Sequence, residues 1–179
     1  MGRVKTRFET SIFDVLMVDH RDVEVLFDQI EAVCDESPEQ ARDLFTVLAD
    51  GLLAHARAEQ SIVYARFARI PALAEKIREA EAEHEAVELL IGQLRGVEPD
   101  AERWLARVMV LRENVQHHVK EEETEVFPVA REQIGDAEAK RLAASFLTAK
   151  ARRTGNPETV QARGRKPEKK RGLLARLFG

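Results

Sequence analysis

From Leu16 to Val129 the apolar residues recur three and four positions apart, and no Asn-Gly or Asp-Gly turn separates alternating runs. That rhythm commits the chain to helices with one buried face and leaves no place for a β-hairpin. The stripes are Leu16, Val23, Phe27 and Ile30; Leu44, Leu48, Leu52 and Ile62; Leu73, Ile77, Val87, Ile91 and Leu94; and Val108, Leu111, Val115, Val126 and Val129. Ser37-Pro38-Glu39-Gln40 has the form of a capping box with proline at the first helical position. Pro71 and Pro99 can open the next two helices, and Gly96 can close the third. The spacing predicts helices near 10–34, 38–68, 71–95 and 100–127, a kink at Pro128, and a shorter fifth helix from about Asp136 to Lys150. Four long helices with short connections pack as an all-α, up-down-up-down four-helix bundle. The bundle is expected to occupy residues 1–152. Residues 153–179 read as a disordered basic linker with a short apolar segment at its end.

Each apolar stripe is interrupted by a side chain that can hold a metal. His20 lies between Leu16 and Val23, His55 and Glu59 between Leu52 and Ile62, His84 between Ile77 and Val87, and His118 and Glu122 between Val115 and Val126. His55/Glu59 and His118/Glu122 are spaced i, i+4, so both members of each pair share a helix face. An internal repeat organises the set: His20 to His84 is 64 residues, and His55 to His118 and Glu59 to Glu122 are both 63. Neighbours follow, with Asp19-His20 matching Glu83-His84 and Val63-Tyr64 matching Val126-Phe127. Two hairpins, each giving one His and one HxxxE, imply a pseudo-twofold site in the bundle core. His117 matches Ala54 and is turned about 100° from His118, outside the ligand set. A single histidine on an apolar face is most often a hydrogen-bonded core residue. Buried carboxylates without partners are harder to accommodate, because an isolated charge in a bundle core costs several kcal/mol. A bound cation neutralises the carboxylates and takes the imidazole lone pairs.

Composition restricts the chemistry further. The one cysteine, Cys34, excludes an internal disulfide framework and a CxxC pair. No apolar run approaches the roughly 18 residues that span a bilayer, and charges occupy the first ten positions where a signal peptide needs an apolar stretch. These features suggest a cytoplasmic setting. Phosphate loops, dinucleotide fingerprints and nucleophile–base sets are missing. His and carboxylate donors without thiolate suit iron or manganese, and zinc less specifically. If Glu59 and Glu122 each bridge two ions, every ion has four protein donors and about two open positions for a small ligand.

The motifs Val18-Asp19-His20-Arg21, His55-xxx-Glu59, Glu83-His84-Glu85 and His118-xxx-Glu122, with Val126-Phe127-Pro128 following, resemble the hemerythrin-like (HHE cation-binding) family over roughly residues 10–135. The resemblance implies a non-haem di-iron site in the bundle, with Glu59 and Glu122 bridging, His20 and His55 on one iron, and His84 and His118 on the other. It also implies a small partner such as O2, H2O2 or NO. The expected function is binding or consuming that ligand, with iron storage or sensing without turnover as the alternative. Oxygen-carrying members have a further histidine one turn from the third-helix ligand. This chain has Ala80 and Glu88 there, with Glu81 at i−3, which speaks against reversible oxygen carriage. Glu81 and Glu88 are available to fill the position, although surface or outer roles are the more ordinary reading. Tyr64 and Phe127 read as core packing.

The net charge of −4 conceals an acidic body with a basic end. Residues 1–149 carry 18 bases and 30 acids, and residues 150–179 carry ten bases and two acids. Lys166, Lys169, Lys170, Arg171 and Arg176 surround Leu173, Leu174, Leu177 and Phe178. Such a segment can dock on an anionic membrane or in the groove of a protein partner. No nucleic acid is expected, because the acidic body repels phosphates.

Overall fold

A computed structural model describes residues 10–95 and 101–154. Helix α1 spans Ile12–Val33. Helix α2 spans Pro38–Glu59 and stays helical through a wide π turn, Gln60–Tyr64, to Phe67. A 3-10 turn at Pro71–Leu73 leads into α3, Ala74–Arg95. Helix α4 spans Ala101–Glu121 and likewise continues through a π turn, Glu122–Val126, to Gln133. Helix α5 is Asp136–Thr154. The architecture is the expected all-α bundle: α1 pairs with α2, α3 with α4, and α5 lies against α1 and α2. No described helix is long and apolar enough to cross a membrane.

Local details depart from the sequence reading in three places. Ser37 contributes its carbonyl to α2, accepting from the Ala41 N–H at 3.1 Å, but its hydroxyl makes no capping bond. Its backbone, at φ −146° and ψ 80°, departs from the extended geometry that aims a capping hydroxyl at the first turn. Pro71 opens the 3-10 turn rather than α3 itself. At Pro128 the chain remains helical, because the π turn just ahead widens the ladder where the proline ring would meet the Thr124 carbonyl. Gly96, Pro99 and residues 155–179 lie outside the described residues.

Two apolar clusters fill the bundle and leave a layer between them. One gathers Ile12, Phe13, Phe67, Phe127 and the α5 residues Ala143 and Phe146. The other gathers Phe27, Ile30, Cys34, Phe45, Ile91, Leu94 and Trp104, whose ring meets Phe45 edge-on at 5.5 Å. The layer between them holds buried polar side chains.

Gly92 is exposed on α3, and nothing lies within 4 Å of where a Cβ would stand. Gly92→Ala is therefore expected to raise stability by up to about 1 kcal/mol, read as a shift of the urea midpoint with an unchanged slope.

Candidate metal centre

All six side chains singled out in the stripes are buried together in that layer. Exposure is 0% for Glu59 and 1% for Glu122, and does not exceed 8% for His20, His55, His84 or His118. Helix period accounts for this, since each residue continues an apolar stripe.

The imidazoles are aimed by carboxylates on neighbouring helices. His55 Nδ1 donates to Asp19 at 3.0 Å, His118 Nδ1 to Glu83 at 2.8 Å, and His20 Nδ1 to Glu123 at 2.9 Å. Asp19 and Glu123 sit below their ordinary carboxylate range despite burial, held by His55 and Lys150 in one case and by Arg21 and His20 in the other. An ionised carboxylate only accepts, so Nδ1 carries a proton and Nε2 is the nitrogen that faces inward. Asp19 and Glu83 correspond in the repeat, as do the rings they orient, so these acids share the pseudo-twofold relation of the six buried side chains.

The inward atoms converge. Glu59 Oε2 lies 3.2 Å from His55 Nε2 and 3.7 Å from His84 Nε2. Glu122 Oε2 lies 3.4 Å from His20 Nε2 and 3.6 Å from His118 Nε2. His84 Nε2 and His118 Nε2 face each other at 3.0 Å. Each carboxylate thus stands between a ring of the first hairpin and a ring of the second. Although close, the ring–carboxylate contacts are not aligned as hydrogen bonds: His20 Nε2, both Glu59 oxygens and Glu122 Oε2 are buried without a hydrogen-bond partner. Such orphaned acceptors are costly in a core, and a cation among them would satisfy the whole group. Donor atoms of Glu59, His84 and His118 lie within 4.8 Å of one another, a spacing a metal ion can span. The residues fit a metal.

The two carboxylates differ electrostatically. Burial, then the charge of Glu122, pushes Glu59 above its ordinary value. Burial alone would raise Glu122 too, but His20, His118 and Tyr64 bring it down to about 2. For His55, burial alone would lower the value, yet Glu59 and Asp19 raise it to about 10. His84 is held down to about 3 by burial and by His118.

Tyr64 is the functional side chain that periodicity missed. In an α-helix a residue five positions on lies about 140° around the axis. The π turn instead bonds i to i+5 and carries Tyr64 over Glu59, and Phe127 over Glu122. Tyr64 lies parallel to His84 at 5.4 Å, and its hydroxyl donates to Glu122 Oε1 at 2.6 Å. Phe127 lies parallel to His20 at 6.2 Å and offers no hydroxyl, which leaves Glu59 without the kind of donor that Glu122 has. The signal was an aromatic five residues beyond each buried glutamate. Tyr64→Phe strips Glu122 Oε1 of its donor and is expected to destabilise the metal-free protein by about 1–3 kcal/mol. Thermal melting of the metal-free form checks this, with metal content retained.

His117 is 63% exposed and touches Glu83 and Glu121 at the surface, apart from the core group. Glu88 is 54% exposed and paired with Arg57. Glu81 is half-buried, and neither it nor Glu88 joins the buried cluster.

A cavity of about 30 Å³ adjoins the rings, lined by the four histidines and by Val23, Leu52, Ala56, Val87, Val115 and Val119. That is room for one or two water-sized molecules. Glu59 and Glu122 are not on its wall.

A sequence model of the hemerythrin HHE cation-binding domain matches residues 11–130. A DNA nickase from Nostoc sp. (strain PCC 7120 / SAG 25.82 / UTEX 2576) is 27% identical over 144 residues. The aligned region covers 80% of this chain and 40% of the nickase. No solved structure matches the chain.

Proposed function

The chain belongs to the hemerythrin HHE cation-binding family, and we propose that it holds a non-haem di-iron centre at His20, His55, Glu59, His84, His118 and Glu122 that binds or reacts with O2, H2O2 or NO. The convergence of inward ring nitrogens with orphaned carboxylate oxygens carries this reading. Glu59 and Glu122 would bridge the pair, His20 and His55 would hold one ion, and His84 and His118 would hold the other. The donor set favours iron, with manganese or zinc as substitutes. When bound, the metal pair supplies Lewis acidity and one-electron redox chemistry toward a small ligand. The protein's own side chains do the rest. Asp19, Glu83 and Glu123 fix three rings, the two apolar clusters exclude water, and Tyr64 keeps a proton on the Glu122 side. The cavity admits a diatomic or peroxide-sized molecule and little else.

Storage or sensing of iron without turnover is the second reading. The cavity wall favours it: beyond the four rings its lining is aliphatic, with no further side chain to deliver a proton. Metal analysis and a visible spectrum after aerobic purification test the centre, and two irons per chain with near-ultraviolet absorption is the expected result. Loss of peroxide with the metal-loaded protein, and none with the metal-free form, supports turnover; equal rates support storage or sensing.

The name of the Nostoc relative raises DNA as a rival substrate. The balance of 18 bases to 30 acids over residues 1–149 opposes a phosphate backbone, so no nucleic acid is proposed as a partner. Metal-dependent nicking of supercoiled plasmid, abolished in Glu122→Ala, would overturn that assignment. A cytoplasmic location is proposed, in keeping with the single cysteine, Cys34, left as a free thiol. The basic end is proposed to dock on a protein partner or an anionic membrane, and flotation with anionic liposomes before and after truncation at residue 155 separates the two.

A further inference from the structure

The two halves of the centre are not supported alike. In the His20/His55 half, each ring is held by a carboxylate that is itself held by a cation. Glu123, the acceptor for His20, takes two bonds from Arg21 at 3.0 and 2.8 Å. Asp19, the acceptor for His55, is bonded by Lys150 of α5. Rings pack on both halves, with Phe127 parallel to His20 and Phe146 edge-on to His55 at 5.4 Å in this one, and Tyr64 parallel to His84 at 5.4 Å in the other. In the other half, His118 donates to Glu83, which meets no lysine or arginine among the described residues. His84 Nδ1 is buried with no partner.

The sequence accounts for the difference. One position after each ligating glutamate, the second repeat has Glu123 and the first has Gln60. Phe146 and Lys150 lie on α5, beyond the region that matches the family, and have no counterpart in the repeat.

We propose that the two metal positions fill in order, the His20/His55 position first and the His84/His118 position second. This rests on the di-metal reading above. A ring already locked with Nε2 inward loses little freedom when an ion arrives, and a carboxylate on its far nitrogen makes the near one more basic. His84 has neither advantage. The donors of the second position already stand within reach of an ion, but the His84 ring gives up more freedom there, so that ion leaves first.

Titration of the full-length metal-free protein with Co2+, followed by visible absorbance and calorimetry, tests the order without reference to activity. Two binding events are expected, the first at least about tenfold tighter. His84→Ala should abolish the weak event and spare the tight one, and His20→Ala should do the reverse. Asp19→Ala should weaken the tight event about 10–100-fold and leave the weak one unchanged. Asp19→Asn, which keeps an acceptor for His55 Nδ1, should recover most of the loss and guards against a variant that merely misfolds. Two events of equal affinity, or loss of the tight event in His84→Ala, would overturn the order while leaving the centre intact. A folded protein that binds no Co2+ would instead sink the di-metal reading.

Discussion

Replacing Glu59 or Glu122 by leucine is expected to take metal content from two ions per chain to near none, because a carboxylate shared between two ions serves both. His20→Ala, which removes a ligand from one position, should leave about one ion, and His117→Ala should leave both. In the metal-free state the two glutamate variants are expected to diverge. Glu59 is wholly buried, neither oxygen has a partner, and burial and Glu122 raise its pKa, so its charge opposes folding. An apolar residue of similar size removes that cost but also takes away the carboxylate beside His55 Nε2, so Glu59→Leu should leave stability within about 1 kcal/mol of the parent. Glu122 accepts from Tyr64 and is held down to about 2 with His20 and His118 beside it. Glu122→Leu leaves the buried Tyr64 hydroxyl without its acceptor and should lose about 1–3 kcal/mol. Metal analysis gives the first comparison and urea unfolding of stripped protein the second. Two ions retained in either variant would refute the bridging assignment, and equal destabilisation would refute the electrostatic contrast. A residue that adds little stability when the site is empty and is indispensable when it is full is what a binding site, rather than a packing core, produces.

How much of this was legible in the sequence follows from which distances are local. Burial of the six polar side chains was readable, because His20, His55, Glu59, His84, His118 and Glu122 each sit in register with apolar neighbours one turn away. The pairing of the hairpins was readable from the 63- and 64-residue repeat. The supporting acids were visible only as matched neighbours. Asp19 stands next to His20 in sequence yet orients His55, and Glu83 stands next to His84 yet orients His118. Adjacent residues on a helix diverge by about 100°, so an acid beside one ligand points at the next helix, and no single-helix pattern says which ring it reaches. The π turns were hidden for a similar reason. Their effect is to break the 3.6 period, and a reading built on that period assigned Tyr64 to packing. Lys150 and Phe146 were hidden because the periodicity of α5 gives no indication that it lies over α1 and α2.

Removing the metal is expected to lower the melting temperature, and the difference should widen as the pH rises. A ligand present at a thousandfold over its Kd adds about 4 kcal/mol, so two ions should raise the melting temperature by more than about 15 °C in a chain of this size. The pH dependence follows from the rings and carboxylates of the empty site. His55 is raised from 6.5 to about 10, so its contribution is complete below 6.5 and is lost as the pH climbs to 10. Glu59, raised by burial and by Glu122, acts in the same sense: its neutral form helps below the unfolded value of 4.5, and that help is lost as the pH rises through its folded value. Glu122, lowered from 4.5 to about 2, contributes above 4.5 and loses that contribution as the pH falls to 2. His84, lowered from 6.5 to about 3, costs stability below 6.5 and is neutral in both states above it. The stripped protein should therefore be most stable near pH 6.5 and decline toward about pH 9. Metal binding runs the other way, because its ligands must be deprotonated and affinity grows with pH. Melting curves of stripped and iron-loaded protein at about pH 6.5 and about pH 9 check this. A gap that stays constant or narrows would mean that the buried histidines and carboxylates do not exchange protons for metal.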